Sequence, residues 1–146
     1  MTERIHVRVK RLHLDARLPV YAHVGDTGDL AADLYCVEGA HLSPGETKPV
    51  PTGIAIELPV GFGAIVEDRS GMAMIGVMTL GGIIDTGYRG ELRVILANIS
   101  NQYIGISKGD RIAQVRIVRR IEAYFEEVEE LAPTERNISG FGCTGM

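Results

Sequence analysis

The sequence predicts an all-β fold, and three features of its composition and patterning lead to this prediction. The 146 residues include 15 Ile and 13 Val against 11 Leu, and β-branched side chains favour strands. The 18 glycines recur at short intervals, which is typical of turns between short strands. Apolar and polar residues alternate along several segments, which indicates strands with one buried face.

Strands are expected where this alternation lies between turn residues. The predicted strands cover residues 5–9, with 12 and 14 continuing the pattern, and residues 32–37, 50–58, 62–67, 83–84, 92–96, 103–106, 112–118 and 121–125. The connection Pro59-Val60-Gly61 is short enough for a hairpin, which predicts an antiparallel sheet. Ser70 is expected to cap the single helix, which runs to Met78.

Composition also excludes several classes of function. A net charge of −4 argues against nucleic-acid binding through bulk charge. We expect neither a membrane segment nor a signal peptide, because no apolar run approaches the length of either. Two distant cysteines require no disulfide and favour the cytoplasm. The four histidines fall one per segment without ligand spacing, which argues against a dedicated zinc site.

The C-terminal residues have a different composition from the rest of the chain. Residues 134–146 contain three glycines and little apolar content, so they cannot bury a face of their own. We therefore predict a single β domain over residues 1–133 and a flexible arm over 134–146. Arg136, Ser139 and Thr144 give this arm a guanidinium and hydroxyl donors, which together suit an anion.

Three further segments contain residues suited to chemistry. Arg69, Ser70 and Gly71 open the predicted helix, where backbone N–H groups favour an anion, although a plain helix cap has the same pattern. Asp85 ends an apolar strand, so we expect a partly desolvated general base for water or, alternatively, a turn-capping residue. Residues 108–114 combine a cation, an anion and an amide, or form a solvated turn with an Asp–Arg ion pair.

Five motifs occur in one order along the chain. They are LAADL at 30–34, RSGMA at 69–73, GGIIDTGYRGEL at 81–92, KGDRIAQ at 108–114 and RNISGFGCTG at 136–145. Together they resemble the motifs of the homotrimeric dUTPase family, whose members hydrolyse dUTP to dUMP and pyrophosphate. The resemblance implies a distorted antiparallel jelly roll of the β-clip type. It also implies a homotrimer with shared active sites at subunit interfaces, which limits uracil in DNA and supplies dUMP.

The resemblance assigns a role to each part of the third motif. Asp85 would accept a proton from the water that attacks the α-phosphorus, and would also bond the sugar 3′-hydroxyl. Tyr88 would pack under the deoxyribose and leave no room for a 2′-hydroxyl. Backbone groups of Gly82, Ile83 and Ile84 would read the edge of uracil.

The first, second and fourth motifs would bind the phosphates. By resemblance, Ser70, Gly71 and Gln114 hold the α- and β-phosphates, and Arg69 offsets charge on the leaving pyrophosphate. Mg²⁺ would be coordinated by triphosphate oxygens and would face the protein mostly through water, without a direct protein ligand. Asp33 would contact the waters of that ion.

The fifth motif would close the site. Arg136, Cys143 and Thr144 would hold the γ-phosphate, Phe141 would cover the base, and Gly142 belongs to the same binding segment. The arm would shield the bound triphosphate from bulk water.

The chain departs from the family pattern at six positions. The family has Gly where Ala31, Asn137 and Ser139 stand, Pro where Asp68 stands, an acidic residue where Gly87 stands and Ser where Cys143 stands. The Asp68 carboxylate either pairs with Arg69 and weakens its attraction for phosphate, or points to solvent. A thiol is a poorer donor than a hydroxyl, so Cys143 predicts weaker contact with the γ-phosphate.

Two alternatives remain at this stage. A dCTP deaminase-like enzyme would share the fold, but it requires a glutamate on the following strand, and residues 92–97 contain none. It also requires a serine where Gly71 stands. A non-catalytic, dUTP-responsive regulator could likewise keep this fold. The presence of Asp85 and Tyr88 favours turnover, because a protein that only binds dUTP needs no base.

Overall fold

The computed structural model describes residues 1–142, and within them it contains ten strands and one short helix. The elements are β1 (Arg8–Arg11), β2 (Ala32–Tyr35), β3 (Ala40–Leu42), β4 (Thr47–Glu57), β5 (Phe62–Glu67), α1 (Ser70–Met74), β6 (Val77–Leu80), β7 (Ile83–Ile84), β8 (Glu91–Asn98), β9 (Ile104–Ile106) and β10 (Arg111–Arg119). That helix has five residues, so no helix in the described part of the chain has the length needed to cross a membrane.

The strands form two four-stranded sheets and one small ribbon. The sheets have the orders β1-β4-β8-β6 and β2-β10-β5-β7, and β3 pairs with β9. Every pairing between these strands is antiparallel. Leu34, Ile54, Leu96 and Ile112 have at most 1% of their surface exposed and lie in one apolar core. The prediction of an all-β, antiparallel fold with one short helix is confirmed.

The predicted hairpin between residues 50–58 and 62–67 is wrong. β4 pairs with β1 and β8, whereas β5 pairs with β10 and β7, so these consecutive strands belong to different sheets. The connection is short, but Leu58 is buried and Gly61 has φ +91°. The chain therefore turns from one layer to the other, a connection that two packed sheets permit as readily as a hairpin.

The helix is shorter than predicted. Ser70 lies in its first turn rather than capping it, because Arg69 is the cap residue, with extended backbone angles. The helix ends before Gly76, whose φ is +88°. Val77 is 1% exposed and pairs with Asn98 at the start of β6. Burial of Val77 against the core thus overrides the helical preference of the methionines nearby.

The ends of the chain also differ from prediction. Residues 121–125 form no strand, and Ile121, Tyr124 and Phe125 are about 90% exposed. The first strand begins at Arg8 rather than at residue 5, and Leu14, beyond its end, is 95% exposed. In addition, β3 was not predicted, because its three residues show too little alternation to stand out.

Candidate functional site

A row of polar side chains crosses the outer face of the sheet β2-β10-β5-β7. Gln114 on β10 pairs with Asp33 on one side and with Glu67 on the other. Directly paired residues of antiparallel strands point to the same face. Leu34 and Ala113, next along their strands, are fully buried on the opposite face. The alternation therefore places Asp33 and Gln114 together on the outside of the sheet.

Asp33 binds two arginines. Its Oδ1 accepts a hydrogen bond from Arg69 Nε at 2.8 Å, and its Oδ2 lies 3.6 Å from Arg111 Nη1. The Asp33 and Arg69 side chains are only 15% and 22% exposed, so water screens this pair less than a surface pair. One carboxylate thus holds two cations at the same edge of the sheet.

A β-bulge brings Arg111 to this face. The register of β10 against β2 shifts by one residue between Arg111 and Ala113. The extra residue lets Ile112 and Ala113 both be buried, and it returns Arg111 to the side of Gln114. The expected Asp110–Arg111 ion pair is absent from the described residues. Asp110 instead accepts a hydrogen bond from the N–H of Ser107 at 2.9 Å.

The candidate phosphate-binding residues follow the end of β5. Ser70 and Gly71 are exposed, and a Cβ added at Gly71 would meet nothing within 4 Å. Among the described residues no side chain caps the first turn of α1, which leaves its N–H groups accessible to an anion. Gln114 Nε2 donates to the Asp68 carbonyl oxygen at 2.7 Å and so anchors the entry to this turn.

The Asp68 carboxylate does not pair with Arg69, and the residue is exposed. Its Oδ1 accepts hydrogen bonds from Thr79 Oγ1 at 2.7 Å and from the N–H of Thr79. It therefore contacts β6 rather than Arg69, whose guanidinium lies against Asp33. The alternative in which the Asp68 carboxylate pairs with Arg69 and weakens its attraction for phosphate is therefore wrong.

A second group of candidate residues lines a cleft of about 380 Å³. Its walls include Ile83, Ile84, Asp85, Tyr88 and Glu91. Asp85 directly follows β7 in a turn closed by a hydrogen bond from the N–H of Tyr88 to its carbonyl oxygen. The Asp85 side chain is exposed. The expected desolvation is therefore absent in the single chain, because β7 is a short edge strand that nothing described covers.

The hydroxyl of Tyr88 is anchored to the backbone beside the cleft. Its hydroxyl donates to the Glu91 carbonyl oxygen at 2.8 Å. A Cβ at Gly90 would lie 2.5 Å from that hydroxyl oxygen, so the hydroxyl end of the ring lies close against the Gly90 backbone. The Glu91 side chain accepts hydrogen bonds from the N–H of Gly53 and from Arg93 Nε, each at 3.0 Å. Tyr88 therefore forms one wall of the cleft.

Gly82 is required at the beginning of this segment. Its φ is +94°, and a Cβ there would lie 2.5 Å from the Val66 carbonyl oxygen. The Gly82 carbonyl accepts a hydrogen bond from the N–H of Val66 at 2.8 Å. Ile83 and Ile84 then pair with Ile65 and Ala64. The backbone of residues 82–84 is thus tied to β5 at a separation that excludes a side chain at Gly82.

The structure does not bring the two groups of candidate residues together. Asp85 lies near the start of β5, where Thr86 Oγ1 donates to the Phe62 carbonyl oxygen. Arg69 and Ser70 follow its other end. β5 has six residues, which corresponds to roughly 20 Å. Within one chain, Asp85 and Ser70 therefore lie about the length of this strand apart.

The candidate residues of the arm lie apart from both groups in the part that is described. Arg136 Nε donates to the Ser139 carbonyl oxygen at 2.7 Å, and Phe141 is fully exposed with φ +50°. Gly142 has φ +84°. Cys143 and Thr144 lie outside the described residues.

The residues present do not form a magnesium site of their own. Within residues 1–142, no three His, Cys, Asp or Glu side chains are grouped so that they could hold a metal ion. Asp33, the expected contact, is already engaged by two guanidinium groups. A cation at this face would therefore need ligands beyond those that residues 1–142 of one chain supply.

Comparison with known proteins places the chain among nucleotide hydrolases. The family profile described as dUTPase matches residues 20–145. The deoxyuridine 5′-triphosphate nucleotidohydrolase of Thermobifida fusca is 45% identical over 145 residues, which covers 97% of this chain and 79% of the relative. The enzyme of the same description from Clostridioides difficile is 43% identical and covers 97% and 99% of the two chains.

Solved structures that superimpose on this chain are also dUTPases. The dUTPase of Staphylococcus bacteriophage 80alpha with dUPNHPP superimposes with a TM-score of 0.85 at 28% identity, over 97% of this chain and 99% of the other. A mutant dUTPase of phage phi11 of S. aureus, described as coordinating a structural Mg(II) ion, gives a TM-score of 0.78 at 24% identity over 88% of this chain and 100% of the other. The fold is the expected distorted jelly roll. From the matched residues 20–145 and these relatives, we conclude that the chain belongs to the dUTPase family.

Proposed function

We propose that this chain hydrolyses dUTP to dUMP and pyrophosphate. Water attacks the α-phosphorus, the bond from that phosphorus to the bridging oxygen breaks, and pyrophosphate leaves. Membership of the dUTPase family supports the reaction. The observation that carries the proposal is the cleft that Asp85 lines together with Tyr88, Ile83 and Ile84.

Asp85 is the general base of the proposed reaction. Its carboxylate is accessible to water, and the residue begins a turn that is closed by its own carbonyl oxygen. It takes the proton that the attacking water loses, which is the usual role of a carboxylate at such a site. The same carboxylate also bonds the 3′-hydroxyl of the sugar.

Tyr88 selects deoxyribose. The hydrogen bond to the Glu91 carbonyl oxygen holds the ring at this wall of the cleft. A 2′-hydroxyl would clash with the ring in this position, so UTP is rejected.

Backbone groups of residues 82–84 read the base. Peptide N–H and carbonyl groups can pair with the acceptors and donors on the edge of uracil, and the amino group of cytosine would leave a mismatched pair. Because Gly82 is bonded to Val66, these groups keep a constant position relative to β5.

Ser70, Gly71 and Gln114 bind the α- and β-phosphates, and Arg69 offsets charge on the leaving pyrophosphate. Asp33 orients Arg69, and Arg111 adds a second cation at the same edge. Sequence reasoning did not include Arg111 among the site residues. The substrate is dUTP as its magnesium complex, in which phosphate oxygens and water would hold the ion.

The active sites are shared in a homotrimer. The separation of Asp85 from Ser70 by the length of β5 supports this, because a base must come within hydrogen-bonding distance of the water it activates. Large exposed apolar side chains after β10 supply surface for contact between copies. They are Ile121, Tyr124, Phe125, Val128 and Leu131. A third copy contributes Arg136, Phe141, Gly142, Cys143 and Thr144.

Product analysis tests the reaction. The protein is incubated with Mg²⁺ and, separately, with dUTP, dCTP, dTTP and UTP. We expect dUMP and pyrophosphate from dUTP and no comparable release from the other three. Binding of dUTP without product would favour a nucleotide-responsive regulator, and ammonia released from dCTP would favour a deaminase. Either result would contradict the proposal.

A further inference from the structure

Asp68 connects three elements that lead to the candidate site. It lies between β5 and α1, immediately before Arg69. Its carbonyl oxygen accepts a hydrogen bond from Gln114 Nε2 at 2.7 Å, which fixes its backbone to β10. Its carboxylate binds Thr79 on β6 through both the backbone N–H and the hydroxyl. The dUTPase pattern has proline at this position, and proline has no side-chain acceptor.

Thr79 lies on an edge strand, where an outward-facing backbone N–H needs a hydrogen-bond acceptor from outside the sheet. β6 is the last strand of its sheet, and β8 is its only neighbour there among the described strands. The N–H groups on the outer side of an edge strand have no strand partner. Asp68 supplies one to Thr79, and it does so three residues before Gly82, where the base-reading segment begins. The crossing from β6 to β7 is thus held at Thr79 by Asp68 and at Gly82 by Val66.

We infer that Asp68 is a positioning residue for base recognition, acting through Thr79 on the backbone of residues 82–84. This inference deepens the proposed function and rests on it for the identity of the base. Asp68 itself touches no substrate. It sets where β6 ends, and the two bonds to Thr79 limit how far the following glycines can move.

The experiment replaces Asp68 by Ala and by Asn. Asp68→Ala should raise KM for dUTP and reduce discrimination of dUTP over dCTP in kcat/KM roughly tenfold, which is the size of a lost hydrogen bond to a charged group. Asp68→Asn should stay close to wild type, because an amide oxygen accepts the same two bonds. Inhibition by pyrophosphate should change by less than about twofold, since that probe does not contact the base-reading segment.

Thr79 supplies the second half of the test. Thr79→Val should reduce discrimination, Thr79→Ser should retain it, and Thr79→Val combined with Asp68→Ala should cost less than the sum of the two single changes. Asp26 provides a matched control, because its Oδ1 also accepts hydrogen bonds from the N–H and hydroxyl of one threonine, Thr2. Asp26→Ala should leave discrimination unchanged.

Amide hydrogen exchange separates this inference from the proposed function. Asp68→Ala should speed exchange of the N–H groups of residues 79–84 whether or not dUTP is hydrolysed. Unchanged exchange with unchanged discrimination would overturn the inference. Tighter inhibition by pyrophosphate in both Asp68 variants, with discrimination intact, would overturn it in favour of a simple charge effect on Arg69.

Discussion

Arg69 Nε donates a hydrogen bond to Asp33 Oδ1 at 2.8 Å across 36 residues of sequence. The carboxylate thereby fixes the cation assigned to the leaving pyrophosphate. Because Arg111 also lies 3.6 Å from Asp33, loss of the carboxylate would release two guanidinium groups at once.

Asp33→Asn should therefore reduce kcat/KM for dUTP by roughly 10- to 100-fold. Most of this reduction should come from a lower kcat rather than from a higher KM. Glu67→Gln is the matched control, because Glu67 pairs with Arg116 at 3.0 Å on the neighbouring strand without contact to Arg69. Steady-state kinetics of both variants measure the effect. Equal losses in the two variants would show that any ion pair on this face has the same influence.

Asp85→Asn should lower turnover by roughly 10²- to 10⁴-fold, because an amide cannot accept the proton of the attacking water. Binding of dUTP should remain close to wild type, since the amide still bonds the 3′-hydroxyl. Single-turnover kinetics and equilibrium binding measure the two quantities. Near-normal turnover would remove Asp85 from its assigned role.

Gly82→Ala should destabilise the fold and abolish base discrimination. The positive φ of Gly82 alone costs an alanine about 1–3 kcal/mol, and the contact with Val66 adds to this. Gly87→Ala is the control, because a Cβ there meets nothing within 4 Å. Chemical denaturation compares the two free energies of unfolding. A wild-type value for Gly82→Ala would contradict the geometry of this segment.

Removal of residues 134–146 should leave the thermal unfolding temperature nearly unchanged while removing most activity. Residues 134–139, 141 and 142 are exposed or nearly so, so the core loses little buried surface. The loss of activity follows from the absence of Arg136 and Phe141 at the substrate. Scanning calorimetry and a dUTP assay provide the comparison, and full activity of the shortened chain would show that the arm is outside the site.

Sequence patterns within a few residues predicted several turns and strands correctly, whereas features that depend on residues distant in sequence were not predicted. The turn around Gly82 and the strand before Asp85 were predictable because glycine and alternation act within a few residues. The separation of β4 and β5 into two sheets was not, since a short connection is compatible with either arrangement. Arg111 was missed as a site residue because its position depends on a bulge and on a partner 78 residues away in sequence.

The helix illustrates the same limit. Serine is a residue type that often caps helices, yet Arg69 is the cap residue of α1. The reason is that Asp68 is hydrogen-bonded to β6 and β10, so the turn into the helix begins at the next residue. The contact between Asp68 and Thr79 joins the connection after β5 to a strand of the other sheet, and no pattern in the sequence distinguishes it from the alternatives of pairing with Arg69 or facing solvent.

The central claim is that dUTP is hydrolysed at sites to which different copies contribute Arg69 and Asp85. Mixing inactive Arg69→Ala and Asp85→Asn chains tests it directly, after both are unfolded together and refolded. In a mixed assembly some sites combine an intact Arg69 from one copy with an intact Asp85 from another. Activity should therefore return to about one quarter of wild type for equal mixing, because each site draws its two halves independently. A mixture as inactive as its components would contradict shared sites.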